Sequence, residues 1–306
     1  MVRAVFVDAN DTLAAVMEGL VREGDPDLLI NRNPAITSED LPGVLAGAEI
    51  MIVDHTYLPT EIAVRCEGLR HVVFLGTGAR SCMNPEELAE HGIAVHVVRG
   101  YGDTSVAECA IALMWAAAKG FAVMDRGMRA GQWLRTDGVQ LTGKTLGLVG
   151  FGGIAAEVAR IASGSGMRVV AWNRTEKSHA SVEFLPLERV LAESDVVSLH
   201  LLLTDETRGF LSAERIAAMK PGVILVNTAR GAIVDEAAMV EGLRSRHIRH
   251  AGLDVFTTEP VPPGHVLTTL ANVTLSAHSA FRTPEASGNL IGAVLDHCRR
   301  IAAEGR

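Results

Sequence analysis

Thr145-Leu146-Gly147-Leu148-Val149-Gly150-Phe151-Gly152-Gly153-Ile154-Ala155 is an apolar run that breaks into glycines and then opens the helical pattern Ala156 to Ala162. A strand that turns directly into a helix needs one glycine for the tight turn, a second so that backbone can approach a ligand, and a small residue where helix and strand pack closely. Gly150, Gly152 and Ala155 stand at those places. The helix start that follows, at Gly153 and Ile154, offers free N–H groups and positive potential to a pyrophosphate. Glycine-rich turns are common in α/β proteins, so the string alone carries little. With a strand before it, a helix after it and a second strand ending at Asn173, it reads as a dinucleotide-binding fingerprint, the alternative being a purely structural turn.

The end of that second strand bears on which dinucleotide. An NAD-selective site places Asp or Glu about 20 residues past the glycines, to accept hydrogen bonds from the adenosine ribose. Here the chain reads Asn173-Arg174-Thr175, with Lys177 beyond. A neutral Asn does not repel a 2′-phosphate, and a planar guanidinium suits one. NADP(H) is therefore expected in preference to NAD(H).

Outward from the fingerprint, short β-branched runs recur at intervals that suit an intervening helix. One series is Val2 to Asp8, Ile50 to His55, His71 to Leu75 and Ala94 to Val98. A second is Thr145 to Gly150, Arg168 to Asn173, Val196 to Leu202, Val223 to Asn227, Ala251 to Phe256 and Val273 to Ser276. Strand alternating with helix predicts α/β architecture with two doubly wound parallel-sheet domains. Val106 to Lys119 predicts a helix, Gly120 to Leu141 a crossover arm, and Pro284 to Ala303 a helix that returns the chain to its first part. The expected map is a discontinuous substrate domain, 1–99 plus 282–306, with a Rossmann dinucleotide-binding domain, 100–281, inserted in it.

The composition narrows the partners. The 306 residues hold 28 basic and 36 acidic side chains, a formal charge of -8, and 48% are hydrophobic. That excludes a disordered chain and argues against non-specific nucleic-acid binding, which needs clustered Lys and Arg. Cys66, Cys82, Cys109 and Cys298 form no CxxC pair, so neither a metal site nor a disulfide framework is expected, and a reducing cytoplasm fits. The longest uncharged apolar stretch, between Glu108 and Lys119, has ten residues, about half of what a bilayer requires. Asp8 and Asp11 interrupt the N-terminal apolar run, so no signal peptide is expected. A small-molecule partner remains, with neither nucleic acid nor membrane.

Ligands of open α/β sheets sit outside the carboxyl ends of the strands, which singles out three residues. Arg230 follows a strand in NTARG, Glu259 in DVFTTEP, and His278 in SAHSA. An Arg fork binds a carboxylate and polarises the adjacent carbonyl, while a His paired with Glu serves as a general acid. Each alone could be a surface residue; together they form a chemically coherent set.

At this point the chain resembles the D-isomer-specific 2-hydroxyacid dehydrogenase family, nearly throughout. The resemblance is carried by GYGDTSVAECAIAL (100–113), LTGKTLGLVGFGGIA (141–155), DVVSLHLLLTDETRGF (195–210), MKPGVILVNTARGAIVDE (219–236) and AGLDVFTTEP (251–260). It implies a flavodoxin-like substrate domain and hydride transfer between a nicotinamide cofactor and a 2-oxoacid or D-2-hydroxyacid, of the glyoxylate or hydroxypyruvate reductase kind. Arg230 would bind the oxoacid, His278 would give and take the proton, and Glu259 would partner it. Asp254 would contact the nicotinamide carboxamide, Thr228 and Ala229 would line its face, and His200 would lie near the cofactor without being the acid. The backbone of Gly76-Thr77-Gly78 would hold the substrate carboxylate. A homodimer is implied, with 100–140 embracing the partner.

The chain departs from the family at Leu202, where a proline is frequent, at Ala79-Arg80-Ser81-Cys82, and at His265-Val266-Leu267, which lacks a frequent Trp. Arg80 is thereby a candidate to pair with a second anionic group on the substrate, against the reading of a solvated surface Arg. The rivals are a same-fold phosphite or formate dehydrogenase, whose additional signature residues are missing, and a dinucleotide-sensing corepressor or scaffold. Turnover on 2-oxoacids separates the last from an enzyme.

Overall fold

A computed structural model describes residues 2–304. The chain divides into two units, Met1–Gly102 with Arg282–Arg306, and Asp103–Phe281.

The first unit is built on five strands: β1 (Arg3–Phe6), β2 (Asp27–Ile30), β3 (Ile50–Val53), β4 (His71–Phe74) and β5 (Ala94–Val97). They pair in parallel in the order β2-β1-β3-β4-β5, the flavodoxin-like arrangement, whose order reverses between β1 and β3. Alternate residues serve opposite faces. Val5, Met51 and Val72 pack with Leu41, Leu45, Leu58 and Leu88. Phe6, Ile52 and Val73 pack under the helix Pro284–Glu304, whose Leu290, Ile291, Val294, Leu295, Cys298 and Ile301 recur at helical spacing. Each such aliphatic side chain contributes roughly 1.5–3 kcal/mol on full burial. An ion pair pins the same helix: Arg299 Nε and Nη2 donate to Asp25 Oδ1 and Oδ2 at 2.7 and 2.9 Å.

The second unit has seven strands: β6 (Thr145–Val149), β7 (Arg168–Trp172), β8 (Glu183–Phe184), β9 (Val196–Leu199), β10 (Val223–Asn227), β11 (Ile248–Leu253) and β12 (Val273–Leu275). Their order is β12-β11-β10-β9-β6-β7-β8, again parallel in each pairing. On one face Val149, Val197 and Leu225 meet Val190, Leu191, Met239 and Leu243. On the other, Leu148, Ile224 and Val226 meet Ala107, Ala110, Ile111 and Met114 of the helix Asp103–Lys119 and Ala155, Val158 and Ala159 of the helix Gly153–Gly164. Both helices present alanines to the sheet and so approach it closely. No single helix among the described residues is long and apolar enough to cross a membrane.

Three elements differ from the sequence reading. β2 and β8 were not anticipated, and the arm 120–141 contains a helix, Phe121–Arg129. Its Gly127 is buried where an added Cβ would lie 2.6 Å from Leu134 Cδ1, so the arm folds back on its own helix.

Candidate active site

The order of the second sheet reverses between β6 and β9, and the fingerprint lies at that switch point. Gly150 leaves β6 with φ +90°, and a Cβ there would stand 2.6 Å from the His200 carbonyl oxygen just past β9, so only glycine serves. At Gly153 an added Cβ would collide with the Asp103 carboxylate. Gly152 faces open space, with nothing within 4 Å of where a Cβ would be, and no side chain caps the helix that starts beside it. Ile154 packs into the apolar layer behind. An open glycine backbone at an uncapped helix start fits a pyrophosphate.

The second-strand end is more constrained than its sequence suggests. Asn173 Oδ1 accepts from Phe151 N at 3.0 Å, and Asn173 Nδ2 donates to Thr175 O and Oγ1, both at 2.9 Å. The amide thus ties β7 to the glycine turn. Arg174 is exposed, and its Nη1 donates to Glu206 Oε2 at 2.7 Å. The guanidinium expected to suit a 2′-phosphate thus already has a partner, a carboxylate from the loop after β9.

Along the same edge, β10 ends in Asn227, Thr228, Ala229 and Arg230. Asn227 Oδ1 accepts from Ala229 N, and its Nδ2 donates to Arg230 O, each at 3.0 Å, which sets the turn that carries the arginine. Thr228 is buried, and its Oγ1 has no hydrogen-bond partner, an unmet polar atom beside the expected nicotinamide. Arg230 is exposed, and among the described residues no carboxylate pairs with it; its Nη1 donates to Ala229 O at 2.6 Å.

Beyond the next two strand ends lie Glu259 and His278. Glu259 Oε2 and His278 Nδ1 are 2.6 Å apart, and Glu259 Oε1 accepts from Phe256 N at 2.8 Å. A carboxylate acceptor places the proton on Nδ1. Nε2 has no partner among the described residues. His278 has φ +48°, a left-handed conformation that a non-glycine residue adopts at a cost, and its N–H donates to Asp254 O at 2.7 Å. Asp254 has no exposed surface, and its Oδ1 and Oδ2 accept from Ser279 N at 3.1 Å and Ala280 N at 3.0 Å. Asp254, expected to contact the nicotinamide carboxamide, is also a strut under the histidine loop.

His200 bonds Ser198 Oγ through Nε2 at 2.9 Å, and burial pushes its imidazole down to about 4. It is neutral near pH 7 and a poor store for a proton.

In the first unit, Gly76, Thr77 and Gly78 follow β4. Gly76 has φ +141°, Thr77 is exposed, and Gly78 O accepts from Ser81 N and Oγ. Arg80 is ion-paired with Glu86 at the start of the short helix Pro85–Glu90, so a second anion on the substrate would have to displace that carboxylate. The sequence reading passed over Asp8, at the end of β1. It is fully buried, and its carboxylate accepts from the backbone N–H groups of Asp54, His55 and Thr56 and from Thr56 Oγ1, at 2.8–2.9 Å. Burial, with the Asp8 charge beside it, holds the Asp54 carboxyl above its usual range. Applying the strand-end rule to the first series would have found Asp8.

The sequence profile of the D-isomer specific 2-hydroxyacid dehydrogenase NAD binding domain matches residues 111–280. A glyoxylate reductase of Korarchaeum cryptofilum is 39% identical over 222 residues, 69% of this chain and 67% of that protein. A hydroxypyruvate reductase of Thermotoga maritima is 36% identical over 272 residues, 85% of this chain and 88% of that protein. Among solved structures, a glyoxylate reductase from Paecilomyes thermophila superposes with a TM-score of 0.88 at 28% identity, over 100% of this chain and 96% of that one.

Proposed function

The chain belongs to the D-isomer specific 2-hydroxyacid dehydrogenase family and is an oxidoreductase that uses a nicotinamide dinucleotide; from that premise we propose that it reduces a small 2-oxoacid to the D-2-hydroxyacid, prefers NADP(H), and uses His278 as proton donor and acceptor. The observation that carries this is the His278–Glu259 pair at 2.6 Å, on the sheet edge that also bears Arg230, with Nε2 and the Arg230 guanidinium bonded to no carboxylate among the described residues. When bound, the cofactor supplies a hydride to the carbonyl carbon. Arg230 binds the substrate carboxylate and stabilises the charge that grows on the carbonyl oxygen. His278 delivers a proton to that oxygen from Nε2. Glu259 fixes the ring and its tautomer, and Asp254 holds the backbone beneath it. Thr228, Ala229 and His200 line the nicotinamide, and Gly150, Gly152, Gly153 and Ile154 cradle the pyrophosphate. Gly76, Thr77 and Gly78 keep the carboxylate-binding role that their resemblance implies.

The NADP(H) preference is supported by the neutral Asn173 and by Arg174. A homodimer is supported by Phe121, Met128, Trp133 and Leu134, apolar side chains left exposed along the arm. A cytoplasmic setting suits four cysteines that are all free.

The test is turnover of glyoxylate, hydroxypyruvate and pyruvate with NADPH and with NADH. Oxidation of NADPH by at least one of these, faster than of NADH at equal concentration, is expected. A protein that binds the cofactor and turns over none of the acids is a binding protein instead.

A further inference from the structure

The place where an NAD-selective site carries its acidic residue is occupied by a side chain whose hydrogen bonds are already made. The Asn173 amide donates to Thr175 and accepts from Phe151 N, leaving Arg174 as the group at this corner that can meet a ribose substituent. A carboxylate is nevertheless present, from elsewhere in the chain. Glu206 Oε2 lies 2.7 Å from Arg174 Nη1, and both side chains are about three-quarters exposed, at 76% and 77%.

The loop that brings Glu206 here is held at several points. Thr207 Oγ1 accepts from Thr204 N at 2.7 Å and donates to Leu202 O at 2.6 Å, which closes the turn around Glu206. Phe210, where the loop ends, stacks on Trp172, the last residue of β7, with ring centroids 5.4 Å apart. The Arg215 guanidinium also lies over the Phe210 ring, 4.0 Å from its centroid. The carboxylate is therefore delivered to the end of β7 by packing.

We propose that Glu206 is a specificity-determining residue for the cofactor: its carboxylate competes with a 2′-phosphate for Arg174 and, when no phosphate is present, accepts the hydrogen bond of the ribose 2′-hydroxyl. This rests on the reading of Arg174 as the phosphate ligand. A phosphate group carries nearly two negative charges and three acceptor oxygens, so it displaces a single carboxylate from the guanidinium, and the displaced Glu206 is then left beside a like charge. The chain accordingly uses both cofactors, and Glu206 holds the lead of NADPH down.

The test is calorimetric and needs no turnover. Adenosine 2′,5′-bisphosphate and adenosine 5′-monophosphate are titrated, at one ionic strength, into wild type, Glu206→Gln, Arg174→Ala and the double variant. An exposed ion pair and a screened repulsion together correspond to a change of about threefold to tenfold. Glu206→Gln is expected to tighten the bisphosphate by that factor and to weaken the monophosphate, and most of the gain is expected to vanish in the Arg174→Ala background. A Glu206→Gln protein that binds both ligands as wild type does, or shifts both alike, overturns the proposal while a tenfold loss of bisphosphate in Arg174→Ala keeps the NADP(H) reading. An Arg174→Ala protein with unchanged bisphosphate affinity removes both.

Discussion

His278 sits in a left-handed conformation, held there from two sides: its backbone N–H is bonded to Asp254 O, and its ring to Glu259. The side chain proposed to move the proton is thus set by two acidic residues with different tasks. Replacing His278 by Ala is expected to lower kcat by roughly 100-fold or more while dinucleotide affinity, measured by fluorescence titration, stays within twofold (about the spread of such values). Near-normal turnover of that variant would remove His278 from the proton-donor role. Asp254→Asn tests the strut. An amide has a single acceptor oxygen, so one of the two N–H groups of Ser279 and Ala280 would face an NH2 group in a buried place. A stability loss of roughly 1–3 kcal/mol and a fall in kcat larger than the change in KM are expected. An Asp254→Asn enzyme with wild-type urea midpoint and kcat would show the strut to be dispensable.

At the scale of elements, the returning helix Pro284–Glu304 completes the first unit, and Arg299 is its polar anchor. Its guanidinium holds the Asp25 carboxyl below the usual range. A carboxyl whose value is depressed on folding adds stability above its unfolded value, near 4, and loses that contribution as pH falls through the folded value. Arg299→Ala is expected to cost about 2 kcal/mol in urea unfolding near pH 7, with the gap to wild type narrowing below about pH 4. A gap that is constant with pH would assign the cost to lost packing of the arginine stem. The elements that were legible in the sequence, β3, β6, β9 and β10 among them, are buried on both faces and so read as unbroken apolar runs. β2 is an edge strand with alternately exposed residues, β8 has two residues, and the helix Phe121–Arg129 carries a glycine in its interior; none of these leaves such a run. The residues of the candidate site were legible because strand ends follow directly from strands. Their partners were less so: Arg174–Glu206 and Arg80–Glu86 depend on how loops bring side chains together, which no local pattern encodes.

Across the whole chain, five histidines add to the response to acid. Burial pushes His250 down to about 4, with Arg126, Arg246 and Arg249 adding repulsion, and pushes His200 to about 4 as well. His71, His96 and His297, whose rings adjoin in a tilted row with centroids 5.4 and 5.5 Å apart, are also lowered, chiefly by desolvation. A histidine depressed on folding takes up its proton more readily when unfolded. The contribution of these five is therefore full above pH 6.5 and lost as pH falls from there toward 4. For His250, only 5% exposed, the shift corresponds to roughly 3 kcal/mol. Urea unfolding followed from pH 7.5 to 4.5 is expected to show a steady decline, shallower in His250→Gln, whose amide keeps the bond to Thr274 Oγ1. Equal slopes in the two proteins would remove His250 from the account.

The path of the chain also fixes an order of birth. A ribosome translates residues 1–102 first and then the whole of 103–281 before it reaches the helix that covers Phe6, Ile52 and Val73. At about 5–20 residues per second, those strands wait on the order of ten seconds or more with one apolar face uncovered. The unit that is contiguous in sequence has all of its residues by then. In the nascent protein the part written second is the first to be complete, and the part written first is what a holdase chaperone at the tunnel exit would find.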